Sequence, residues 1–376
     1  MTAAASVTST GPTGPVTADS AHSADSTAGG TPTVQPTAPD VLERCRLLVR
    51  PVLEKAVERL HPWPAEMAAY ALGWCEVGGA PASGATGKGL RQALAVLGAE
   101  AVGAPGEAGA AGAVAVELVH TFSLLHDDIM DGDATRRRRP TVWKAYGTGP
   151  AVLAGDALFA LAVETLAGAE GVHAPAAVRL LAASLTDLVR GQADDLLFES
   201  RPWRGPEAVR PDEYRAMAEH KTGALLGCAG ALGALLAGAP EETVAALDRA
   251  GRHLGVAFQI VDDVLGVWGD PRVTGKPAHG DLRRRKKTLP VLAALSADSP
   301  AARRLAELLE AEDALDPEGV RTAATLIEEA GGRSAARAEA RHRLAEAHAC
   351  LESVPLAPRP LGDLRTLLDF LPHRRM

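Results

Sequence analysis

Apolar positions along this chain recur at helical rather than strand spacing. In DVLERCRLLVRPVLEKAVERL, which begins at Asp40, the residues Val41, Leu42, Leu47, Leu48, Val52, Leu53 and Val57 fall on a helical period, predicting a helix whose start Asp40 caps. Longer segments keep the same period without Pro: EAGAAGAVAVELVHTFSLLHDDIMD, AVLAGDALFALAVETLAGA, AAVRLLAASLTDLVRGQADDLLFE, DEYRAMAEHKTGALLGCAGALGALLAG and TVAALDRAGRHLGVAFQIVDDVLGVW. These predict long helices, several too apolar all round to be anything but buried. Pro and Gly gather between them, at GGAPASGATGKG, RRRRPTVWKAYGTGP, RPWRGPEAVRP and GDPRVTGKPAHGD, which read as connections. The expected fold class is all-α.

Before Asp40 the pattern is absent. Residues 1–39 are mostly Thr, Ser, Ala, Gly and Pro, with no aromatic, Lys or Arg, and only Asp19 and Asp25 charged. Such a segment cannot bury enough apolar surface to offset the entropy of ordering it. It is expected to be disordered, either a passive tail or a segment that docks to a partner enzyme or a protein compartment. Residues 40–376 are expected to form one folded domain, with no compositional break or internal repeat to divide it.

Composition narrows the class further. The 376 residues are 47% hydrophobic but only 3% aromatic, which favours closely packed Ala- and Leu-lined helices over a sheet fed by aromatic and β-branched residues. A formal charge of -8 argues against nucleic-acid binding, which needs a basic footprint. The cysteines, Cys45, Cys75, Cys228 and Cys350, form no CxxC pair, as expected of reduced, buried thiols in a cytoplasmic protein. The opening MTAAASVTST lacks the features of a signal peptide, and no later segment is expected to span a membrane.

Two acidic clusters carry the chemistry. In His126-Asp127-Asp128-Ile129-Met130-Asp131 the i and i+4 spacing puts Asp127 and Asp131 on one helical face, where carboxylates suit hard cations. Phe258-Gln259-Ile260-Val261-Asp262-Asp263 repeats the design at the end of a second apolar helix. Acids in apolar sequence repel unless cations neutralise them, and facing helices of a bundle can aim both clusters into one cavity. Mg2+ held by few carboxylates leaves positions for phosphate oxygens, so the expected ligand is a diphosphate.

Basic residues flank both clusters. Arg136, Arg137, Arg138 and Arg139 follow the first; guanidinium forks suit phosphate, although such a run also reads as a solvated patch. Gly87-Lys88-Gly89-Leu90-Arg91 is no Walker A loop, yet as a helix start it places Lys88 and Arg91 where both can reach one anion. Lys276, Asp281, Lys286 and Lys287 follow the second cluster, and the two adjacent lysines read equally as surface charge.

In this order the motifs resemble those of the trans-isoprenyl diphosphate synthases, or polyprenyl synthetases, from about Val41 to the C-terminus. The family's GK..R element appears as Gly87, Lys88 and Arg91, its first aspartate motif as Asp127, Asp128 and Asp131, and its Arg pair as Arg136 and Arg137. GQ..D appears as Gly191, Gln192 and Asp195, KT as Lys221-Thr222, and FQ..DD as Phe258, Gln259, Asp262 and Asp263. The resemblance implies an isoprenoid synthase-type helical bundle with a central active-site cavity, commonly a homodimer. It implies that Lys88, Arg91, His120 and Arg137 hold isopentenyl diphosphate, while Arg136, Lys221, Lys286 and Mg2+ hold the allylic diphosphate, with Lys276 alongside. Asp127, Asp128, Asp131, Asp262 and Asp263 would ligate the metal, three ions with diphosphate bound, and Thr222 and Gln259 would steady the allylic cation.

Three positions depart from the family pattern: Gly266 stands where the second motif usually ends in an acid, with Asp270 as a candidate substitute, Arg138 replaces a Gly, and Gly132 a Glu. Product length in this family is gated on the helix before the first aspartates. Phe122, with Ser123 beside it, resembles synthases that stop at geranylgeranyl diphosphate. Competing readings are a terpene cyclase, against which the acid pair at Asp262 speaks, and a non-catalytic accessory subunit, which would usually lose one aspartate cluster.

Overall fold

The computed structural model describes residues 36–82, 89–270, 279–311 and 315–370. The expected tail up to residue 35, and the expected site residues Lys88 and Lys276, lie outside this range.

The first helix, α1 (Ala38–Val57), starts slightly earlier than predicted, and Asp40 is not its cap. Thr37 is, with its side chain accepting from the Asp40 backbone while the Asp40 carboxylate accepts from the Thr37 backbone N–H at 3.0 Å, a reciprocal box that satisfies two orphan donors. Its buried stripe is Val41, Cys45, Val49, Leu53 and Val57, whereas Leu47 and Val52 point outward. The periodicity identified the helix but drew its buried face too wide.

After α2 (Pro62–Ala71) and α3 (Leu90–Ala101), a short 3-10 turn (Gly106–Gly109) leads into α4 (Ala110–Met130). Helices α5 (Val142–Tyr146), α6 (Thr148–Ala167), α7 (Ala174–Ser200) and α8 (Pro211–Ala218) follow, then α9 (Ala224–Leu236) and α10 (Glu241–Trp268). Every residue of α9 from Ala224 to Ala234 is buried, as a helix apolar on all sides must be. It packs against α3, α4, α7 and α10 and forms the centre around which the site is built. The C-terminal helix Pro358–Phe370 returns to α1 and α3. There Arg44 joins Glu100, at 2.5 and 2.9 Å, to the buried Asp363, at 3.1 Å.

Two further differences from the sequence reading bear on function. Between β1 (Thr135–Arg136) and β2 (Arg139–Pro140) the expected Arg loop forms a two-residue antiparallel hairpin, and between α8 and α9 the expected continuous helix widens into one π-helical turn, Glu219–Gly223. Two stretches, Gly106–Met130 and Thr148–Ala167, are long and apolar enough to cross a membrane by length and composition alone. Burial separates them: 61% of the first window lies inside the fold against 39% of the second. Cys45, Cys75 and Cys228 are buried free thiols, as expected, while Cys350 is half-buried.

Candidate active site

The first aspartate cluster closes α4. Asp127 and Asp128 occupy its last turn and Asp131 is the C-cap residue, so the carboxylates gather at the negative end of the helix dipole, which disfavours them unless cations are near. Burial pushes the Asp127 carboxyl up to about 6, with Lys221 opposing the shift and Asp131 adding to it. Asp128 is buried and also raised by burial, though Arg136 from β1 holds it through contacts of 2.7 and 2.8 Å. Lys286 lies 3.5 Å from Asp131, and Arg284 2.9 Å from Asp133. The turn after the second cluster therefore reaches back to the first.

Lys221 and Thr222 ride on the π-helical turn, a feature that often marks functional positions. Gly191 in α7 is what allows this turn to approach: a Cβ there would lie 2.2 Å from the Lys221 backbone nitrogen. Lys221 pairs with Asp195 of α7. Burial works against its ammonium, but Asp195 and Asp127 outweigh that and hold its pKa above the ordinary value. Both side-chain amide atoms of the buried Gln192, one residue along α7, have no partner among the described residues. Buried amide groups are seldom left so without a ligand or water.

On α10 a polar chain runs inward. Thr222 donates to Gln259 at 2.9 Å, Gln259 donates to Asp263 at 3.1 Å, the Leu289 backbone N–H donates to Asp263 at 3.2 Å, and the hydroxyl of buried Tyr214 donates to the same carboxylate. Burial pushes Asp263 up to about 7. The Asp263 carboxylate, expected among the metal ligands, thus accepts bonds from Tyr214, Gln259 and the Leu289 backbone, and its contact with Gln259 orients that amide. Asp262, beside it, is partly exposed. Sequence reasoning missed Tyr214, for which the only signal was an aromatic residue in a chain poor in them.

Further basic groups gather near Glu117 of α4, whose carboxyl burial pushes up while Gln92, Arg91 and Arg137 oppose the shift. Arg91 sits in the first turn of α3 with its Nε unpartnered among the described residues, and burial pulls its pKa down to about 10. His120 is held well below its ordinary value by burial and by Arg91 and Arg137, so it is neutral at neutral pH. Arg137 and Arg138 form the hairpin turn, both left-handed at φ 52° and 63°. Arg139 is structural, stacking 4.2 Å over Tyr70 and donating to the Cys75 carbonyl at 2.7 Å. Lys287, which read as surface charge, is buried 4.2 Å over the Trp203 ring.

The donor set fits a hard divalent cation. Carboxylate oxygens dominate, burial resists their ionisation at Asp127, and the neighbouring cations are those that would move to phosphate once metal neutralised the acids. Among the described residues no group of three His, Cys, Asp or Glu is arranged to hold an ion alone, so ligand oxygens would have to complete its coordination, as Mg2+ commonly requires.

A helical bundle whose two aspartate clusters lie among basic residues suits a class of metal-assisted enzymes acting on diphosphates. Comparison with known proteins makes this specific. A family model described as polyprenyl synthetase matches residues 81–327. The chain is 49% identical over 337 residues to geranylgeranyl diphosphate synthase of Mycobacterium tuberculosis, covering 89% of this chain and 93% of that one. It is 44% identical over 343 residues to (2E,6E)-farnesyl diphosphate synthase of the same species, with coverage again of 89% and 93%. The crystal structure of a polyprenyl synthetase from Streptomyces coelicolor superposes with a TM-score of 0.83 at 48% identity, covering 88% and 98%. A polyprenyl synthase from Caulobacter crescentus, complexed with calcium and isoprenyl diphosphate, superposes at 0.74 with 27% identity, covering 91% and 100%. The chain belongs to the polyprenyl synthetase family and is a prenyltransferase with the isoprenoid synthase fold.

Proposed function

We propose that this prenyltransferase condenses isopentenyl diphosphate with an allylic diphosphate in the presence of Mg2+, and that its main product is the C20 compound geranylgeranyl diphosphate. The observation that carries this reading is that the aspartates closing α4 are met by basic side chains from three other segments, with a further basic set beside them at Glu117. Arg136, Lys221 and Lys286 are paired with the acids Asp128, Asp195 and Asp131, while Arg91 and Arg137 lie near Glu117 and His120 of α4.

Bound Mg2+ would neutralise the aspartates and the charge that grows on the departing diphosphate. Asp127, Asp128, Asp131 and Asp262 would hold it. Arg136, Lys221 and Lys286, released from their carboxylate partners, would grip the allylic diphosphate and stabilise its leaving oxygens, an effect commonly worth several kcal/mol. Arg91, neutral His120 and Arg137 would anchor isopentenyl diphosphate so that its double bond meets the allylic cation. The dipoles of Thr222 and Gln259, aligned by Asp263, would face that cation, and the departing pyrophosphate would accept the proton lost from the new chain.

The C20 length rests on Phe122, whose ring packs edge-on to His126 at 4.8 Å and is backed by Phe159 of α6 at 5.6 Å. Two aromatic rings from two helices make a firm end to a growing apolar chain. We also assign a homodimer, supported by outward-facing Val152, Leu153 and Phe159 on α6 and Val189 and Leu197 on the adjoining α7. Buried free thiols support a cytoplasmic location.

The test is incubation of the purified protein with isopentenyl diphosphate and each allylic starter, with Mg2+ or EDTA, followed by mass spectrometry. A C20 diphosphate made only with metal supports the whole reading. C15 or longer products overturn the length assignment alone, and folded protein that condenses nothing overturns the function.

A further inference from the structure

The second acid cluster is short of a carboxylate at Gly266, one helical turn beyond Asp262 on α10. A Cβ built on Gly266 would lie 1.8 Å from Oδ2 and 2.7 Å from Cγ of Asp281. The Asp281 carboxylate therefore fills the space that a side chain at position 266 would need, and only glycine leaves it free. Asp270 cannot play this part from the helix, because α10 ends at Trp268 and Gly269 is already extended, at φ -68° and ψ 139°. An acid beyond that point no longer shares the i and i+4 face.

Asp281 belongs to a single turn, Gly280–Arg283, and its surroundings show which way it faces. The Lys286 N–H donates to the Asp281 carbonyl at 2.9 Å, and Lys286 in turn reaches Asp131 at 3.5 Å. Arg284 lies 3.6 Å from the Asp281 carboxylate and 2.9 Å from Asp133. The segment that lays Asp281 on α10 thus also touches the first aspartate cluster, so the carboxylate stands on the side of α10 that looks toward α4. It keeps 19% of its side-chain surface open, enough for contact with an ion or its bound water.

We propose that Asp281 is a metal-binding residue that supplies the third carboxylate of the second cluster, directly or through a metal-bound water, in the place an acid at position 266 would hold. The proposal deepens the reading above and rests on it. An acid carried on a turn instead of on the helix has a consequence: the same segment bears Arg284 and Lys286, so metal binding at Asp281 also fixes the position of two cations near the diphosphate.

The test uses the full chain with inorganic pyrophosphate at fixed concentration, titrating Mg2+ and reading the thermal unfolding midpoint. Asp281→Asn preserves shape and should raise the Mg2+ needed for half-maximal stabilisation about tenfold, at the low end for residues supporting a metal. Asp270→Asn should leave it unchanged. Asp281→Ala should show the defect, and adding Gly266→Asp to it should restore most of the lost affinity, since removing the Asp281 carboxylate opens the space for a side chain at 266. A wild-type titration curve for Asp281→Asn, a tenfold loss for Asp270→Asn, or no recovery in the double variant would overturn the proposal. Absence of any Mg2+ effect in the wild type, with no condensation activity, would instead remove the functional reading beneath it.

Discussion

Arg138 occupies a backbone conformation that favours glycine, at φ 63° on an exposed hairpin tip, and a side chain in that region costs roughly 1–2 kcal/mol. Its neighbours have defined work: Arg136 holds Asp128, and Arg139 holds Tyr70 and Cys75. Arg138→Gly should therefore raise stability by about 1 kcal/mol, part of the relief being offset by greater freedom of the unfolded chain. Urea denaturation checks this, and a loss of stability would show that the arginine makes a compensating contact. Asp263 allows a pH prediction. Burial holds its carboxyl up to about 7 in the folded chain, against an ordinary value of 3.8. Over that interval the folded state binds more protons than the unfolded one, so the stabilisation is complete below about pH 4 and is lost as pH rises through about 7. Asp127, pushed up to about 6 by burial, acts in the same direction. The metal-free protein should lose stability across this window, and Asp263→Asn should flatten the slope in urea titrations run in EDTA. An unchanged slope would mean that Asp263 titrates as an ordinary carboxyl.

At the scale of elements, the site depends on how closely α7 meets the π-helical turn. Gly191 brings the backbones so near that a Cβ would sit 2.2 Å from the Lys221 nitrogen and 2.7 Å from its Cα. Gly191→Ala should cost about 1–3 kcal/mol by overpacking and displace Lys221 from Asp195. Activity should then fall even where the protein remains fully folded, which denaturation curves and steady-state kinetics on one preparation will separate. Unchanged kinetics in folded protein would show that the turn tolerates a shift. The expected continuous helix over this stretch reflects a real limit of pattern reading: a π turn inserts one residue without disturbing the apolar spacing enough to be seen.

At the scale of the whole molecule, α6 is the outlier. It is as apolar as α4, yet Val152, Leu153 and Phe159 stay in water. Exposed apolar patches of this kind mark association surfaces, and here the patch continues onto α7 through Val189 and Leu197. Leu153→Glu should yield a monomer by light scattering coupled to size exclusion, whereas an unchanged mass would place any dimer contact elsewhere. Because Phe159 backs Phe122 from this same helix, the proposed product-length region lies next to that surface.

The sequence by itself determined the helical class, the order of the motifs and which residues are candidates for the site. Helical periodicity is local, and acids adjacent on one helix are neighbours whatever the rest of the chain does. Tertiary structure alone decided what those residues face. Asp263 turns toward Tyr214 and Leu289, Lys287 is buried on Trp203, and Asp281 comes to rest on Gly266. In each case the deciding partner is distant along the chain, and the outcome follows from which segment folds back over which helix face, a relation that spacing along one helix does not encode.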